Sequence, residues 1–498
     1  MMRLLRSPPF PARLFAATSL LAVLSACTGH SSTTPAPLAL QADPLAGLPA
    51  GVSQQALPER WWELYQDPQL NAWVRQALQH NQDLAQAEAN VQAMLAGIGE
   101  YDARLWPSTS LEFGASYGKS ADDQTLAQAT DSHAPSQWEF NPGIELAYQV
   151  DVWGQVRAAI ERARAQAEAT REALDLVRLQ VVTQTSRAYV DQCVYGARIQ
   201  ETEQSLQTLE RSVQLSDRQR QAGIATELDA VRLRGLREQV RAQLPMLEAR
   251  RQMALFELSV LSGQPPAAIA AGASACRSIP TLKAPLPGGD GWQLLARRPD
   301  VRKAERDLRA ADLEVDIVKA DLYPKVSFGA SLTSSDHHLS NLGDSSAVMF
   351  AVGPLISWEF PNIKANRARV NKARALQQAQ IAHYRGVALN ALKDVRKALA
   401  GYDGERQRAQ ALDSALAHSQ RGFALAQDNY RAGAVDALEV LDSERDLISV
   451  RARHVEAQGR LARAQINLFR ALGGSWQTPP AAAATLVQSA STETGKQP

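Results

Sequence analysis

Residues 105–118, LWPSTSLEFGASYG, and residues 322–332, LYPKVSFGASL, decide how this chain is read. Each opens on a Leu-aromatic-Pro step and then alternates. After Pro107, Leu111, Phe113, Ala115 and Tyr117 interleave with Glu112, Gly114, Ser116 and Gly118. After Pro324, Val326, Phe328, Ala330 and Leu332 keep the same period. A period of two is strand-like, with one apolar face and one small or polar face. A partner strand follows each: Ile144, Leu146, Tyr148 and Val150 in the first case, and Val348, Phe350, Val352, Ile356 and Trp358 in the second. The polar stretches between partners, 119–137 and 334–346, read as exposed loops.

Working outward, the two stretches lie 217 residues apart, as do Asp83-Leu84 and Asp300-Val301 upstream of them. Further on, Gln221-Ala222-Gly223 and Arg431-Ala432-Gly433 are separated by 210. Units of this size are too long for solenoid repeats, so a whole structural unit is duplicated, over 58–278 and 279–475. Each copy runs helix, two strands, two very long helices. Residues 155–221 contain no Pro and one Gly, Gly196; at a rise of ~1.5 Å per residue such a helix is about 100 Å long. Its counterpart spans 362–430, and returning helices run over 227–261 and 437–472. Apolar residues recur at three-four spacing, as in Leu206, Leu209, Val213 and in Leu392, Val395, Leu399. That is coiled-coil spacing, but the stripes are narrow, so these helices need neighbours on more than one side, as in a tube.

Four strands of about ten residues have the length of tilted transmembrane β-strands. A soluble four-stranded sheet lying on helices is the alternative, and the small, polar second face suits a wet lumen better. Four strands cannot close a pore, whereas a symmetric trimer supplies twelve. Beyond the N-terminus no segment reaches the ~18 consecutive apolar residues of a spanning helix, so a membrane crossing has to be a barrel.

The N-terminus is a different material. Arg3, Arg6 and Arg13 lead into an apolar run from Leu14 to Ala26, a secretory-signal pattern over 1–26. Leu24-Ser25-Ala26-Cys27 resembles the bacterial lipobox, which implies that Cys27 becomes an acylated N-terminus; an ordinary signal peptide is the alternative. Thr28 follows where an Asp often marks inner-membrane retention, which favours the outer membrane. Without the signal, 50 basic face 52 acidic residues, a net charge of −2, which indicates no nucleic-acid partner. Residues 27–57 read as an acylated, flexible tether and 476–498 as a disordered tail. Cys193 and Cys276 are too few for a disulfide framework, and buried or tolerated thiols are the default reading, with a bridge the alternative.

The pattern resembles the TolC/OprM superfamily of outer-membrane efflux channels. Pro58-Glu59-Arg60-Trp61-Trp62 and Asp67-Pro68-Gln69-Leu70, together with the lipobox, resemble its NodT-type lipoprotein branch. His80-Asn81-Gln82-Asp83-Leu84, Tyr148-Gln149-Val150-Asp151-Val152-Trp153-Gly154 and Arg297-Arg298-Pro299-Asp300-Val301 support the match, which covers about residues 57–475. The resemblance implies an α+β membrane protein: a trimeric twelve-stranded β-barrel, four strands per chain, on a long periplasmic coiled-coil tunnel. It also implies a homotrimer completed by a periplasmic adaptor and an inner-membrane efflux pump. The implied function is passive conduction of drugs and other toxic small molecules outward, with no cofactor besides the lipid on Cys27.

Both long hairpins turn at a glycine, Gly223 and Gly433, where the left-handed cap conformation favours Gly. Thr226-Glu227-Leu228-Asp229 and Asp436-Ala437-Leu438-Glu439 then place an N-cap residue three before a carboxylate, a capping-box pattern. By resemblance this is the periplasmic aperture: Glu439 and Asp442 match acids lining the constriction, and Asp229 and Tyr430 match the network holding it shut. Plain helix-start stabilisation is the competing reading for Asp229 and Glu439, and a solvated face for Asp442. Where the family often has a basic residue, this chain has Val435.

An enzyme finds little support. His337-His338 is the only adjacent pair among eight scattered His; it lacks a third ligand at metal-site spacing and reads as solvated loop. No phosphate loop or nucleophile motif stands in its required context. A coiled-coil outer-membrane lipoprotein without a pore is the remaining alternative, and the duplicated strand pairs speak against it.

Overall fold

The computed structural model describes residues 52–53, 55, 57–223, 226–266, 276–283, 285–287 and 297–474. Cys27, the expected signal over 1–26, nearly all of the expected tether and the tail after 476 lie outside the described residues.

Each half begins with helices whose starts are written locally. Asp67 caps α1 (Pro68–His80), accepting from the backbone of Gln69 and Leu70, with Pro68 at the position where a missing N–H costs nothing. Asn81 ends α1 and caps α2 (Gln82–Asp102). The strands β1 (Ser108–Gly118) and β2 (Gln137–Val150) follow, with a short helix α3 (Ala121–Ala129) between them. That helix corrects the reading of 119–137 as plain loop: the Ser120 hydroxyl caps it by accepting from the Asp123 N–H. Then come α4 (Gln155–Gln221, 67 residues), α5 (Glu227–Arg241) and α6 (Leu244–Leu261). The second half repeats the order: α7 (Pro299–Ala320), β3 (Lys325–Ser334), β4 (Val348–Ser357), α8 (Ile363–Arg431, 69 residues) and α9 (Ala437–Ala471).

One expected helix is broken. The returning segment of the first hairpin stops at Arg241 and restarts at Leu244, with Pro245 in the new first turn. Pro cannot donate to the preceding turn and its ring crowds that turn's carbonyl, so an uninterrupted helix through this point is costly. Its counterpart α9 holds no Pro and runs unbroken for 35 residues.

The four strands form one antiparallel sheet in chain order, β1-β2-β3-β4. Its register keeps the apolar set on one face. Leu111 opposes Ile144, which opposes Leu332, which opposes Phe350. On the other face Ser110 opposes Glu145, which opposes Ser331. A one-residue slip would invert every strand, so this agreement along four strands is a specified feature. The apolar face is uncovered, with Leu111 80% and Phe350 83% exposed. Two edges, β1 and β4, have no partner among the described residues. Aromatic residues collect at both ends of the sheet: Tyr117, Trp138 and Phe140 at one, Trp153 stacked on Tyr323 at 4.6 Å at the other.

The main core lies midway along the long helices. Trp61 stacks on Phe469 with centroids 4.7 Å apart, and Tyr65 donates to Gln465. Tyr189 on α4 donates to Asp67 at 2.9 Å. The segment expected to be tether therefore ends earlier than 57: Val52–Ser53 pair in parallel with Leu286–Pro287, and Leu57 is buried in this core. Cys193 and Cys276 form a disulfide, Cα atoms 4.9 Å apart across 83 residues of sequence. This overturns the default of unpaired thiols. Gly196 shows why the pairing is possible, because the backbone of Cys276 lies where a Cβ at 196 would be, 2.1 Å from the Cys276 oxygen.

The same joint closes both halves. Asn81 Nδ2 donates to the Leu261 carbonyl at 3.0 Å, at the end of α6. The Arg298 guanidinium donates to the Ala471 carbonyl at 2.7 Å, at the end of α9. These residues are related by the two sequence offsets, 217 and 210. Both satisfy a carbonyl that a helix C-terminus leaves without an intrahelical partner.

Candidate functional site

The two hairpins turn at Gly223 and Gly433, each with φ near +75°, a conformation that a Cβ would strain. At the second turn Gly433 N–H donates to the Tyr430 carbonyl and Ala434 N–H to Asn429, which closes the end of α8. Beyond the turns the capping expectation holds in full at α5. The Asp229 N–H donates to the Thr226 hydroxyl, and Thr226 N–H donates to the Asp229 carboxylate. At α9 only half of it forms: the Asp436 carboxylate accepts from Glu439 N–H at 3.1 Å.

This geometry divides the candidate aperture residues. Asp229 is occupied by its own helix start, where the Thr226 hydroxyl also donates to it at 2.6 Å. Tyr430 does cross to the first hairpin, but its hydroxyl donates to Gln219 at 2.9 Å and not to Asp229. Both residues line one cavity of about 680 Å³ between the hairpins, with Leu215, Leu233, Val440 and Glu444. Glu439 and Asp442 are exposed on α9. Arg445 lies 3.9 Å from Asp442, with both side chains about half exposed, a geometry worth little in water. Arg445 is a basic neighbour of the tip that sequence reasoning passed over while noting Val435.

Charge at the first tip is internally compensated. Arg220 pairs with Glu227 at 3.2 Å, and Arg234 pairs with Asp217. At the second tip Glu439 hangs from an exposed helix start.

One residue of this region was missed. Glu444, also on α9, is only 2% exposed, and its carboxylate accepts from the Ser212 hydroxyl on α4 at 3.3 Å. Burial pushes its pKa up to about 7, and the Ser212 hydrogen bond offsets only part of that. The available signal was its spacing: Leu441, Glu444 and Leu447 follow the buried stripe of α9.

At the far end of the sheet His337 differs from the expected solvated loop. Its Nδ1 donates to the Trp138 carbonyl at 2.9 Å and its Nε2 accepts from Gln137 at 2.8 Å, which ties the two loops together. Among the described residues no cluster could hold a metal ion, and no helix is long and apolar enough to cross a membrane.

An open-edged sheet with an uncovered apolar face, joined to two long duplicated hairpins, points to an assembly that shares strands between chains. Sequence comparison agrees: the profile of the family described as outer membrane efflux protein matches residues 73–264 and 292–474. The chain belongs to the outer membrane efflux protein family.

The chain is 31% identical to the pyoverdine export outer membrane protein OpmQ of Pseudomonas aeruginosa, over 92% of this chain and 97% of that one. It is 27% identical to the cation efflux system protein CusC of Escherichia coli K12, over 83% and 88% of the two. Among solved structures, the outer-membrane channel OprN superposes with a TM-score of 0.82 at 29% identity, covering 90% of this chain and 99% of that one. The TolC/OprM resemblance therefore holds. This outer membrane efflux protein contributes four strands of a barrel wall, continued by long helical hairpins, the fold it shares with OprN. The pore-less coiled-coil alternative is set aside, and the chain is an efflux channel.

Proposed function

We propose that this channel is the passive outer-membrane exit of a multi-part efflux system, anchored by a lipid on Cys27. In this reading its helical hairpins extend into the periplasm and meet an adaptor and an inner-membrane pump. Glu439 and Asp442, brought together by the three-fold axis, line the entrance. The observation that carries it is the sheet: four strands of 10 to 14 residues, apolar on one face throughout, with both edges unpaired among the described residues. Unpaired strand edges are prohibitively costly in lipid, so the barrel closes only by pairing β4 of one chain with β1 of the next. The wall then conducts water and solutes through a polar lumen, while energy comes from the pump. No covalent chemistry is required of the chain.

The relatives bracket the cargo, since one is named for pyoverdine export and another for cation efflux. Both suit a wide lumen whose selection is made by the pump and by charge at the entrance. The direct test is reconstitution of purified protein in planar bilayers. Stepwise conductance from a cross-linkable trimer is expected, and a monomer that inserts and conducts alone would refute the assembly. Cys27→Ser should abolish acyl labelling yet leave assembled protein in the membrane, because one lipid group adds little to a full barrel.

A further inference from the structure

Glu444 stands in the buried stripe of α9, in an unusual place for a carboxyl group. Beside it on the same stripe, Leu441 packs with Leu209, Leu236 and Val240 of the first hairpin. Its carboxylate accepts from Ser212 of α4, and the neighbouring Ser216 hydroxyl is buried with no partner among the described residues.

The charged and titratable groups around it are all engaged elsewhere. From α4 the polar residues lining the same cavity are Ser212, Ser216 and Gln219, none of them charged. From α5 comes Asp229, held in its capping box, while the α5 arginines Arg234 and Arg237 pair with Asp217 and Glu210. From α8 come Tyr430, bonded to Gln219, and Arg431, paired with Asp428 at 3.1 Å. Asp436 is taken by the start of α9. On α9 itself Asp442 precedes Glu444 by two residues, roughly 200° around the helix, and so faces the opposite way with Arg445. Among the described residues no cation pairs with Glu444. A buried carboxylate without a cation is costly, whereas the neutral acid is not.

We propose that Glu444 is a protonation-controlled clasp between the two hairpins. Uncharged, it lets α9 pack against α4 and holds the tip closed; ionised, it draws water into the joint, loosens α9 and lets the tip open. Glu444 is thus a positioning residue, acting on Glu439 and Asp442 through the helix that carries all three. The inference rests on the channel reading for its consequence, while the clasp itself can be measured without it.

The sign follows from burial. The clasped state holds its proton to about pH 7 and the open state releases it near 4.5. Clasp stability is therefore full below pH 4.5 and is lost as pH rises to about 7, a change of roughly two orders of magnitude in the clasp equilibrium.

The experiment is hydrogen exchange of the 437–448 amides in the full-length trimer in detergent, corrected for intrinsic rates, from pH 4.5 to 8. Wild-type protection is expected to fall across that range on a logarithmic scale, with its midpoint between 4.5 and about 7 and the loss complete near 7. Glu444→Gln, a neutral isostere, should keep low-pH protection at every pH, while the double substitution Glu439→Gln/Asp442→Asn should keep the wild-type profile. Ser212→Ala removes the bond that favours the charged form and should move the midpoint to higher pH. This variant decides the matter if Glu444→Gln fails to assemble. Protection independent of pH in the wild type would overturn the clasp. So would a Glu444→Gln profile like wild type, or an unmoved midpoint in Ser212→Ala. If protection changes as expected but bilayers show no conductance, it is the channel reading that fails.

Discussion

The two hairpins descend from one unit, yet the first is built to stay and the second to yield. The first holds its extended segment by a disulfide from Cys193 to Cys276, threaded over Gly196. Its returning helix is split at Pro245, and its tip acids are consumed by a complete capping box and by Arg220 and Arg234. The second hairpin returns in one unbroken helix, with half a capping box, two exposed acids and a buried carboxyl in its seam. On the proposed clasp such a helix would act as a lever: duplication supplied the wall twice, and local chemistry placed the clasp in one copy.

The largest test of this contrast is the disulfide. Cys193→Ser/Cys276→Ser should lower unfolding stability by about 2–4 kcal/mol, since the bridge closes a long loop. Exchange should rise around 276–287 while α9 keeps its wild-type protection; equal loosening of both hairpins would break the comparison. Next comes Gly196→Ala, whose Cβ would meet the Cys276 carbonyl. About 3 kcal/mol of destabilisation is expected in chemical denaturation, because the obstacle is backbone. Gly404→Ala on α8, where nothing lies within 4 Å, should be neutral or stabilise by up to about 1 kcal/mol. The joints differ less. Arg298→Ala removes a buried guanidinium that serves Ala471 and Asp300 and should cost about 2–3 kcal/mol, against about 1–2 for Asn81→Ala. A reversed order would show that the joints do not act as their bonds suggest.

What the sequence made legible was whatever is written locally. Alternation from Leu111 to Tyr117, the Pro107 and Pro324 boundaries, and the turn glycines Gly223 and Gly433 all act within a few residues of themselves. The 217-residue offset even places Asn81 and Arg298 in the same joint. What stayed hidden depends on partners far away in sequence. Cys193 meets Cys276 only because α4 passes that segment, and Glu444 is buried only because Ser212 lies across from it. The tip network is the instructive case. Thr226 and Asp229 read correctly as a cap, and the structure gives Asp229 that role, while Tyr430 reached Gln219 through a side-chain contact that no spacing announces. Helix α3 and the break at Pro245 were local and readable, and were passed over in favour of smoother elements.

In the proposed channel the exposed acids of the second tip, and not those of the first, govern entry. Reversal potentials in planar bilayers under a salt gradient measure this. A three-fold ring of Glu439 and Asp442 should make the wild-type channel cation-selective. Asp442→Ala should weaken that selectivity, and Glu439→Ala/Asp442→Ala should remove most of it. Asp229→Ala in the first tip and the mid-helix control Glu201→Ala should leave it near wild type. Unchanged selectivity in the double variant, or an equal loss in Asp229→Ala, would show that the second tip does not set entry.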